Sequence, residues 1–342
     1  MAATSQGKHN MTNALLRSSL MKTNRLMALL LAALFCTASA DRAVGDTFGS
    51  GANTFDIEFV TIGDPGNAAD ITGNPNPAGS VDYSYRMGKF EISLQMIDKA
   101  NAEGGLGITK DNPRGPDKPA TTVSWNEAAR FVNWLNTSTG GAPAYKFALQ
   151  PGEVGYSANA DIQLWTISDG GYNPGNLYRN SLARYFLPSV DEWYKAAYYD
   201  PTSGVYYDYP TGSDSVPDGI DFAGDPNFDA VFNDGYDQAQ PNDITNAGVL
   251  SPYGTAGQGG NVFEWEETDY DLVNDSTSSL RSVRGGPWGF FSGSLSSSFR
   301  FNPAFPSFAG IDVGFRVASI PEPATIVLLG LGVLLLGRRR RC

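Results

Sequence analysis

The stretch that decides the fold is Gly259-Gly260-Asn261-Val262-Phe263-Glu264-Trp265. Its two glycines leave the backbone free to adopt conformations that other residues avoid and to turn carbonyl groups inward. Asn261 and Glu264 add two oxygen-bearing side chains within one turn of chain. Ca²⁺ binds about six to eight oxygens, so the carbonyls of Gly260 and Val262 are candidate ligands as well. A tight turn that leads into a strand with core aromatic residues explains the same letters, and the stretch alone leaves both interpretations open.

Composition indicates a loop-rich, acidic globular protein. The chain has 342 residues, of which 41% are hydrophobic and 18% charged, and this is enough apolar material for a sizeable core. Its 39 glycines and 21 prolines favour long loops. The formal net charge of -12 makes nucleic acid a poor partner and cations good ones.

Cysteine and histidine usage restricts the chemistry further. Cys36, Cys342 and His9 are the only residues of these types, and all three lie in terminal segments that resemble targeting signals. The part of the chain between those segments therefore has neither thiol nor imidazole. This excludes disulfides, Cys/His metal sites, thiol nucleophiles and histidine-based triads from the folded domain.

Residues 1–40 are predicted to be a signal peptide with an N-terminal extension that export does not need. Arg25 precedes an apolar run over residues 26–36, and Ala38-Ser39-Ala40 fits the small-x-small pattern that signal peptidase cuts. We expect the mature chain to start near Asp41. Residues 41–53 are then a glycine-containing linker.

The C-terminal segment, residues 320–342, combines Pro321-Glu322-Pro323, an apolar run over residues 324–337, and four arginines. In this order the three parts resemble the PEP-CTERM sorting signal. The resemblance implies a Gram-negative envelope protein that an exosortase cuts near the Pro-Glu-Pro and delivers to the cell surface or exopolysaccharide matrix. Membrane contact would then be limited to this transmembrane run before cleavage, and an ordinary tail anchor is the alternative.

Between the signals the chain is predicted to be one domain, residues 54–319. Apolar and polar residues alternate over residues 54–62, which is typical of a half-buried strand. A second strand is expected over residues 83–92, followed by a short helix that Ser93 caps.

Two further helices have capping-box sequences. Ser124-Trp125-Asn126-Glu127 precedes apolar residues at helical spacing, and Ser189-Val190-Asp191-Glu192 repeats the pattern. For Ser189 and Glu192, capping explains both residues better than a nucleophile and a base would.

The later chain alternates acidic loops with short strands. The loop from Tyr198 to Asp243 is rich in aspartate, asparagine and tyrosine, and is typical of either solvated turns or a second calcium site. Arg284 and Arg316 each lie in a short apolar segment. We expect both at buried strand ends, bound to carboxylates or carbonyls.

Five motifs in order resemble the formylglycine-generating-enzyme domain, also called the sulfatase-modifying factor domain. They are Val123-Ser124-Trp125 with Ala128-Ala129-Arg130-Phe131, Leu187-Pro188-Ser189 with Glu192-Trp193, Gly260-Asn261-Val262 with Glu264-Trp265, Arg284-Gly285-Gly286 with Trp288, and Gly314-Phe315-Arg316-Val317-Ala318. The resemblance implies an α+β fold related to the C-type lectin fold, loop-rich and low in regular secondary structure.

The same resemblance implies structural calcium. One site would use the carbonyls of Gly260 and Val262 with the side chains of Asn261 or Glu264. A second would use the ligands Asn227, Asp234 and the carbonyl of Tyr236.

The resemblance does not extend to the family's catalytic centre. Oxygen-dependent members bind copper through two cysteines between the Arg-Gly-Gly and Gly-Phe-Arg segments, whereas residues 289–300 of this chain carry serines there. Hydroxyls are poor ligands for Cu(I), so no copper is expected.

Two functions remain open. The first is a non-catalytic surface or matrix protein whose domain is a binding or scaffold module for a glycan, peptide or partner, with extracellular polysaccharide as one candidate. The alternative is an enzyme of the superfamily whose chemistry depends on neither cysteine nor histidine, with acids such as Asp269 and Asp271. A pocket that holds two carboxylates, one with a strongly raised pKa, would favour the enzyme.

Overall fold

A five-stranded antiparallel sheet holds both ends of the domain together. The computed structural model describes residues 44–110, 114–302 and 304–321. The sheet has the order β1-β2-β3-β10-β4. Its strands are β1 (Val44–Phe48), β2 (Phe55–Ile62), β3 (Tyr85–Gly88), β4 (Tyr185–Phe186) and β10 (Ala318–Ser319). Because β10 pairs with both β3 and β4, the last strand of the domain closes the sheet that the first strands begin.

The strand predictions near the N-terminus hold with changed boundaries. Buried and exposed residues alternate along β2, as predicted for residues 54–62. The second predicted strand is shorter than residues 83–92 and is β3. Residues 41–53 were expected to be a linker, but β1 lies within them and pairs along its whole length with β2.

The glycine-rich stretch from Gly259 to Trp265 leads into a second sheet. It has the order β8-β7-β9, with β7 (Phe263–Asp269) antiparallel to β8 (Arg281–Arg284) and parallel to β9 (Val313–Gly314). A third, two-stranded sheet pairs β5 (Tyr199–Asp200) with β6 (Val205–Tyr206).

All three predicted helices are present. They are α1 (Leu94–Gly104), α2 (Trp125–Ser138) and α3 (Val190–Tyr198). Ser93 caps α1, and both predicted capping boxes are formed, with Ser124 and Glu127 on α2 and Ser189 and Glu192 on α3. These side chains satisfy backbone amides that the first helical turn leaves without partners.

The main core lies between the five-stranded sheet, α1 and α2. Phe131 of α2 meets Phe315 edge-on at 5.6 Å, and Trp134 stacks on Phe55 of β2 at 5.9 Å. Long connections surround this core. The largest runs from α2 to β4 over residues 139–184 with neither helix nor strand, so the expected loop-rich α+β architecture is confirmed.

The predicted signals lie outside the described residues. These are the signal peptide and nearly all of the C-terminal sorting segment. Within the described ranges, no helix is both long enough and apolar enough to span a bilayer.

Candidate functional site

The glycine-rich stretch forms a tight turn that enters β7. Gly260 has φ +98°, and a Cβ atom there would lie 2.4 Å from the carbonyl oxygen of Val231. Asn261 also has a positive φ of 64°. Their amides donate to the carbonyls of Gly285 and Val231, both at 2.7 Å. A glycine is therefore required at position 260 by both conformation and space.

Glu264, the first carboxylate of β7, is held by an arginine from the C-terminal end of the domain. Arg316 donates from Nε to Oε2 at 2.6 Å and from Nη2 to Oε1 at 2.5 Å. The indole Nε1 of Trp193 donates to the same Oε2 at 2.7 Å. All three side chains are fully buried, and Arg316 also donates to backbone carbonyls, as predicted.

Asn261 links the turn to two neighbouring segments. Its Oδ1 accepts from the amide of Asn242 at 2.8 Å, while its Nδ2 donates to Oε1 of Glu91 at 2.8 Å. The side-chain oxygen therefore already has one donor. Since an amide oxygen has two lone pairs, one acceptor position remains on Asn261.

Glu91 is a buried acid at the back of this turn. Its side chain is 1% exposed, and within the described ranges Oε2 has no hydrogen-bond partner. The pKa of Glu91 is raised to about 8, chiefly by burial; Arg316 opposes this rise and the nearby Glu264 adds to it. Glu91 is thus protonated at neutral pH.

The rest of β7 continues as a row of buried acids, each held by an arginine. Glu266 binds Arg284 at 2.6 Å, Glu267 binds Arg179 at 2.6 Å, and Asp269 binds Arg281. The sequence analysis did not single out Glu266, Glu267 or Arg179 as partners. The available signal was the run Glu-Trp-Glu-Glu-Thr-Asp, which is unusually acidic for a strand between apolar segments.

Arginine partners lower the pKa of two buried acids, Glu266 and Glu192. Burial by itself would raise the pKa of Glu266. The guanidinium groups of Arg284 and Arg300 more than offset this effect, so the pKa of Glu266 lies below its usual value. The pKa of Glu192 is lowered in the same way by Arg179, against the effect of burial. Carboxylates that stay ionised and fully hydrogen-bonded are poor general acids at neutral pH.

Asp269 and Asp271, the acids named for the enzyme alternative, occupy different environments. Asp269 is fully buried and bound to Arg281 and to the hydroxyl of Tyr178. Asp271 is exposed and accepts from the amide of Val273 at 3.0 Å, an ordinary turn contact. The two do not form a shared acid pair in a cleft.

The first predicted calcium site is compatible with a cation only in part. The carbonyls of Gly260 and Val262 belong to the turn. The carboxylate of Glu264 is already occupied, because its Oε1 accepts a hydrogen bond from Nη2 of Arg316. A guanidinium so close neutralises the carboxylate, which lowers its value as a cation ligand. In the described ranges, no three acidic, histidine or cysteine residues are grouped to hold a metal.

Backbone hydrogen bonds locate the three residues of the second predicted site. The amides of Asp234 and Tyr236 both donate to the carbonyl of Ile220, at 3.1 and 3.2 Å. The amide of Asn227 instead donates to Asp225 at 2.9 Å. The backbones of Asp234 and Tyr236 are therefore held at one carbonyl, and that of Asn227 is held at Asp225.

The serine-rich segment is packed against the second sheet. Phe290 meets Phe263 edge-on at 5.3 Å, and Leu295 is fully buried. The hydroxyls of Ser294 and Ser296 donate to backbone carbonyls three residues earlier, at 2.7 and 2.9 Å. Where the resemblance implies copper ligands, this chain has turn-forming serines and apolar side chains.

Comparison with known families agrees with this geometry. The model for the sulfatase-modifying factor enzyme 1-like domain matches residues 56–320. The chain belongs to this family. A PEP-CTERM protein-sorting motif matches residues 319–341, which implies processing by an exosortase and sorting to the bacterial envelope or surface. Curated protein sequences gave no match.

Solved structures place this sulfatase-modifying factor domain among distant relatives of the same fold. Treponema denticola variable protein 1 is 17% identical, with a TM-score of 0.54 over 82% of this chain and 100% of the relative. CarF is 20% identical, with a TM-score of 0.56 over 78% of this chain and 99% of the relative. At these identities the likeness supports the formylglycine-generating-enzyme-like, C-type-lectin-related fold and nothing about activity.

Proposed function

We propose that this protein is a non-catalytic binding or scaffold module at the surface or in the exopolysaccharide matrix of a Gram-negative bacterium. Signal peptidase would remove residues 1–40, and an exosortase would act on residues 320–342. The sulfatase-modifying factor domain over residues 54–319 would remain as the exported product.

The single observation that carries the non-catalytic proposal is the segment where the family's copper-binding cysteines would lie. The hydroxyls of Ser294 and Ser296 donate to local carbonyls, Phe290 packs on Phe263 of the second sheet, and Leu295 is buried in a cluster with Tyr209 and Phe232. The acids of β7 do not compensate, because Glu264, Glu266 and Glu267 are each bound to an arginine in a buried ion pair. The geometry thus offers neither a soft metal site nor a free acid-base pair there.

An enzyme independent of cysteine and histidine is the second candidate. Glu91 favours it, since burial raises its pKa to about 8 and it lines a cavity of about 180 Å³ with Asp56 and Glu58. Against a catalytic role, Glu91 is almost completely buried, and Asn261 holds one of its oxygens.

Calcium is proposed as a structural ion. The carbonyls of Gly260 and Val262, with Asn261 and Glu264, are one candidate ligand set, and Asn227, Asp234 and Tyr236 are another. Its contribution would be to draw acidic loops together in a chain of net charge -12.

The test is a glycan array with the processed protein isolated from its native envelope, read with calcium and with chelator. The proposal expects saturable binding to at least one extracellular polysaccharide class without any change in the bound glycan. Cleavage or modification of a glycan during incubation, measured by mass spectrometry, would favour the enzyme. Absence of binding across the array and across envelope extracts would contradict the binding module.

A further inference from the structure

A cavity outside the β7 region lies between α2 and the long connection that follows it. It measures about 540 Å³ and is lined by aromatic, aliphatic and cationic residues. The residues that matter for its chemistry are Arg130, Trp134, Lys146, Phe147 and Trp165. Among the residues that the structure describes, no acidic one lines it, although the chain as a whole is strongly acidic.

Arg130 is unusual among the buried arginines. Arg281, Arg284 and Arg316 are each bound to a carboxylate, whereas Arg130 has no such partner in the described part of the chain. It is 3% exposed, and its Nε has no hydrogen-bond partner among the described residues. A buried charge without a counter-charge is costly, so an anion placed in the adjoining cavity would be stabilised.

The guanidinium of Arg130 is held rigidly at the cavity wall. It lies 3.5 Å from the ring centre of Phe147 and 4.8 Å from that of Tyr156. Its Nη1 donates to the carbonyl of Leu149 at 2.7 Å. The positive charge is therefore fixed in place by neutral groups that do not cancel it.

Lys146 supplies a second, more accessible cation. Its side chain is 30% exposed, and its Nζ binds Asp169 at 2.8 Å. The same Nζ lies 5.8 Å from the ring centre of Trp165, whose indole nitrogen is anchored to the carbonyl of Ala144 at 3.0 Å. Because Asp169 offsets only one of the two cations, the wall keeps an excess positive charge.

The aromatic residues indicate a ligand with a flat apolar face. Trp165 is half-buried at the cavity, and Trp134 forms another wall next to Gly104. The C–H face of a pyranose ring packs well on an indole, and a sugar carboxylate matches lysine and arginine. A cavity of this size is large enough to hold one or two sugar units.

From these contacts we propose that the cavity between α2 and residues 143–165 is a binding site for acidic glycans. A uronate ring would stack on Trp165, and its carboxylate would contact Lys146. The positive charge of Arg130 would add to the attraction for the carboxylate. This inference rests on the proposed binding function and names its ligand class. Arg130 acts as a positioning charge, since its free nitrogen is buried, while Lys146 and Trp165 make the direct contacts.

The experiment titrates the processed protein with an oligogalacturonate and follows tryptophan fluorescence and heat of binding. A neutral galactose oligomer of equal length and free inorganic phosphate are the comparison ligands. We expect saturable binding of the oligogalacturonate and at least tenfold weaker binding of the neutral oligomer and phosphate. Equal affinity for the neutral oligomer would overturn the acidic part of the proposal, and equal affinity for phosphate would reduce it to a simple anion site.

The variants locate the site. Lys146→Gln and Trp165→Ala are each expected to weaken oligogalacturonate binding at least tenfold. Lys118→Gln is the matched control, because Lys118 is similarly covered at 18% exposure, binds Asp243 at 3.0 Å and lies outside the cavity. Its affinity should equal that of the wild type. Arg130→Gln should weaken oligogalacturonate binding without lowering the unfolding temperature. If Arg130→Gln unfolds, Arg130→Lys is used instead. That variant keeps the positive charge, so it should still bind.

Two results separate this inference from the proposed function. If glycans bind but Lys146→Gln and Trp165→Ala have wild-type affinity, the binding module stands and the cavity is the wrong site. If no acidic glycan binds while a neutral glycan or a protein does, the ligand class is wrong and the module again stands.

Discussion

Arg316 binds Glu264 through two hydrogen bonds of 2.5 and 2.6 Å, with both side chains fully buried. The pair joins the segment that closes the domain to the first acid of β7. It also occupies the carboxylate that the sequence presents as a calcium ligand. The relationship therefore affects both the stability of the fold and its capacity to bind a cation.

Removing one partner of this pair should be strongly destabilising. Arg316→Met leaves a buried, unpaired carboxylate, so we expect a loss of about 3–5 kcal/mol in the free energy of unfolding measured in urea. The double variant with Glu264→Gln should lose less than the two single variants together, because only the double variant leaves no buried charge unpaired. Glu58→Gln is the surface control, since its pair with Lys89 is partly exposed, and it should cost less than about 1 kcal/mol. Additive losses would show that the pair does not act as a unit.

Stability should fall as the pH rises because of Glu91. Burial raises its pKa in the folded state to about 8, above the ordinary value of 4.5. The favourable contribution is therefore complete below pH 4.5 and is lost as the pH rises through about 8, since the unfolded chain ionises first. Glu91→Gln should raise the unfolding temperature at pH 8 and change it little at pH 4.5. An equal shift at both pH values would contradict the protonated state of Glu91.

Calcium should raise the unfolding temperature of the full-length protein. A ligand at a hundred times its dissociation constant adds about 2.7 kcal/mol to the free energy of unfolding. Scanning calorimetry in chelator and in millimolar calcium measures the difference, which Asp234→Asn should reduce. Asp271→Asn is the control, because Asp271 is exposed and makes a similar turn contact. Coincident curves in chelator and calcium would exclude both predicted sites.

The C-terminal signal predicts removal of the arginine cluster. Protein isolated from the native envelope should lack residues 338–342, and deletion of the exosortase gene in that host should restore them. Intact-mass measurement distinguishes the two forms. A mature protein that keeps its last five residues would favour a tail anchor.

The domain should not convert a sulfatase-type cysteine peptide to formylglycine, even with copper and oxygen supplied. The reason is the absence of cysteine between residues 285 and 314. Mass spectrometry of the peptide, with an active family member as positive control, measures the product. Catalytic turnover would show that the serine-rich segment supports a different oxidation chemistry.

Local features of the domain were predictable from sequence because their causes are local. A capping box needs only a serine and a glutamate three residues apart, and both predicted boxes are formed. Alternation along residues 54–62 defines the buried face of β2 for the same reason. The family could be recognised from the five ordered motifs, since each motif determines a turn or a buried pair of side chains in the fold.

The partners of the buried charges were decided by tertiary structure. Glu264 is an equally good calcium ligand or ion-pair partner by residue type, and only the approach of Arg316, 52 positions away, shows that a guanidinium holds it. The cavity beside Arg130 also follows from packing, because the connection after α2 has no periodicity from which its path could be read. Sequence by itself determined the local elements, the family and the missing cysteines, whereas long-range packing decided which acids are paired with arginines and, in the part of the chain that the structure describes, left Arg130 without a carboxylate partner.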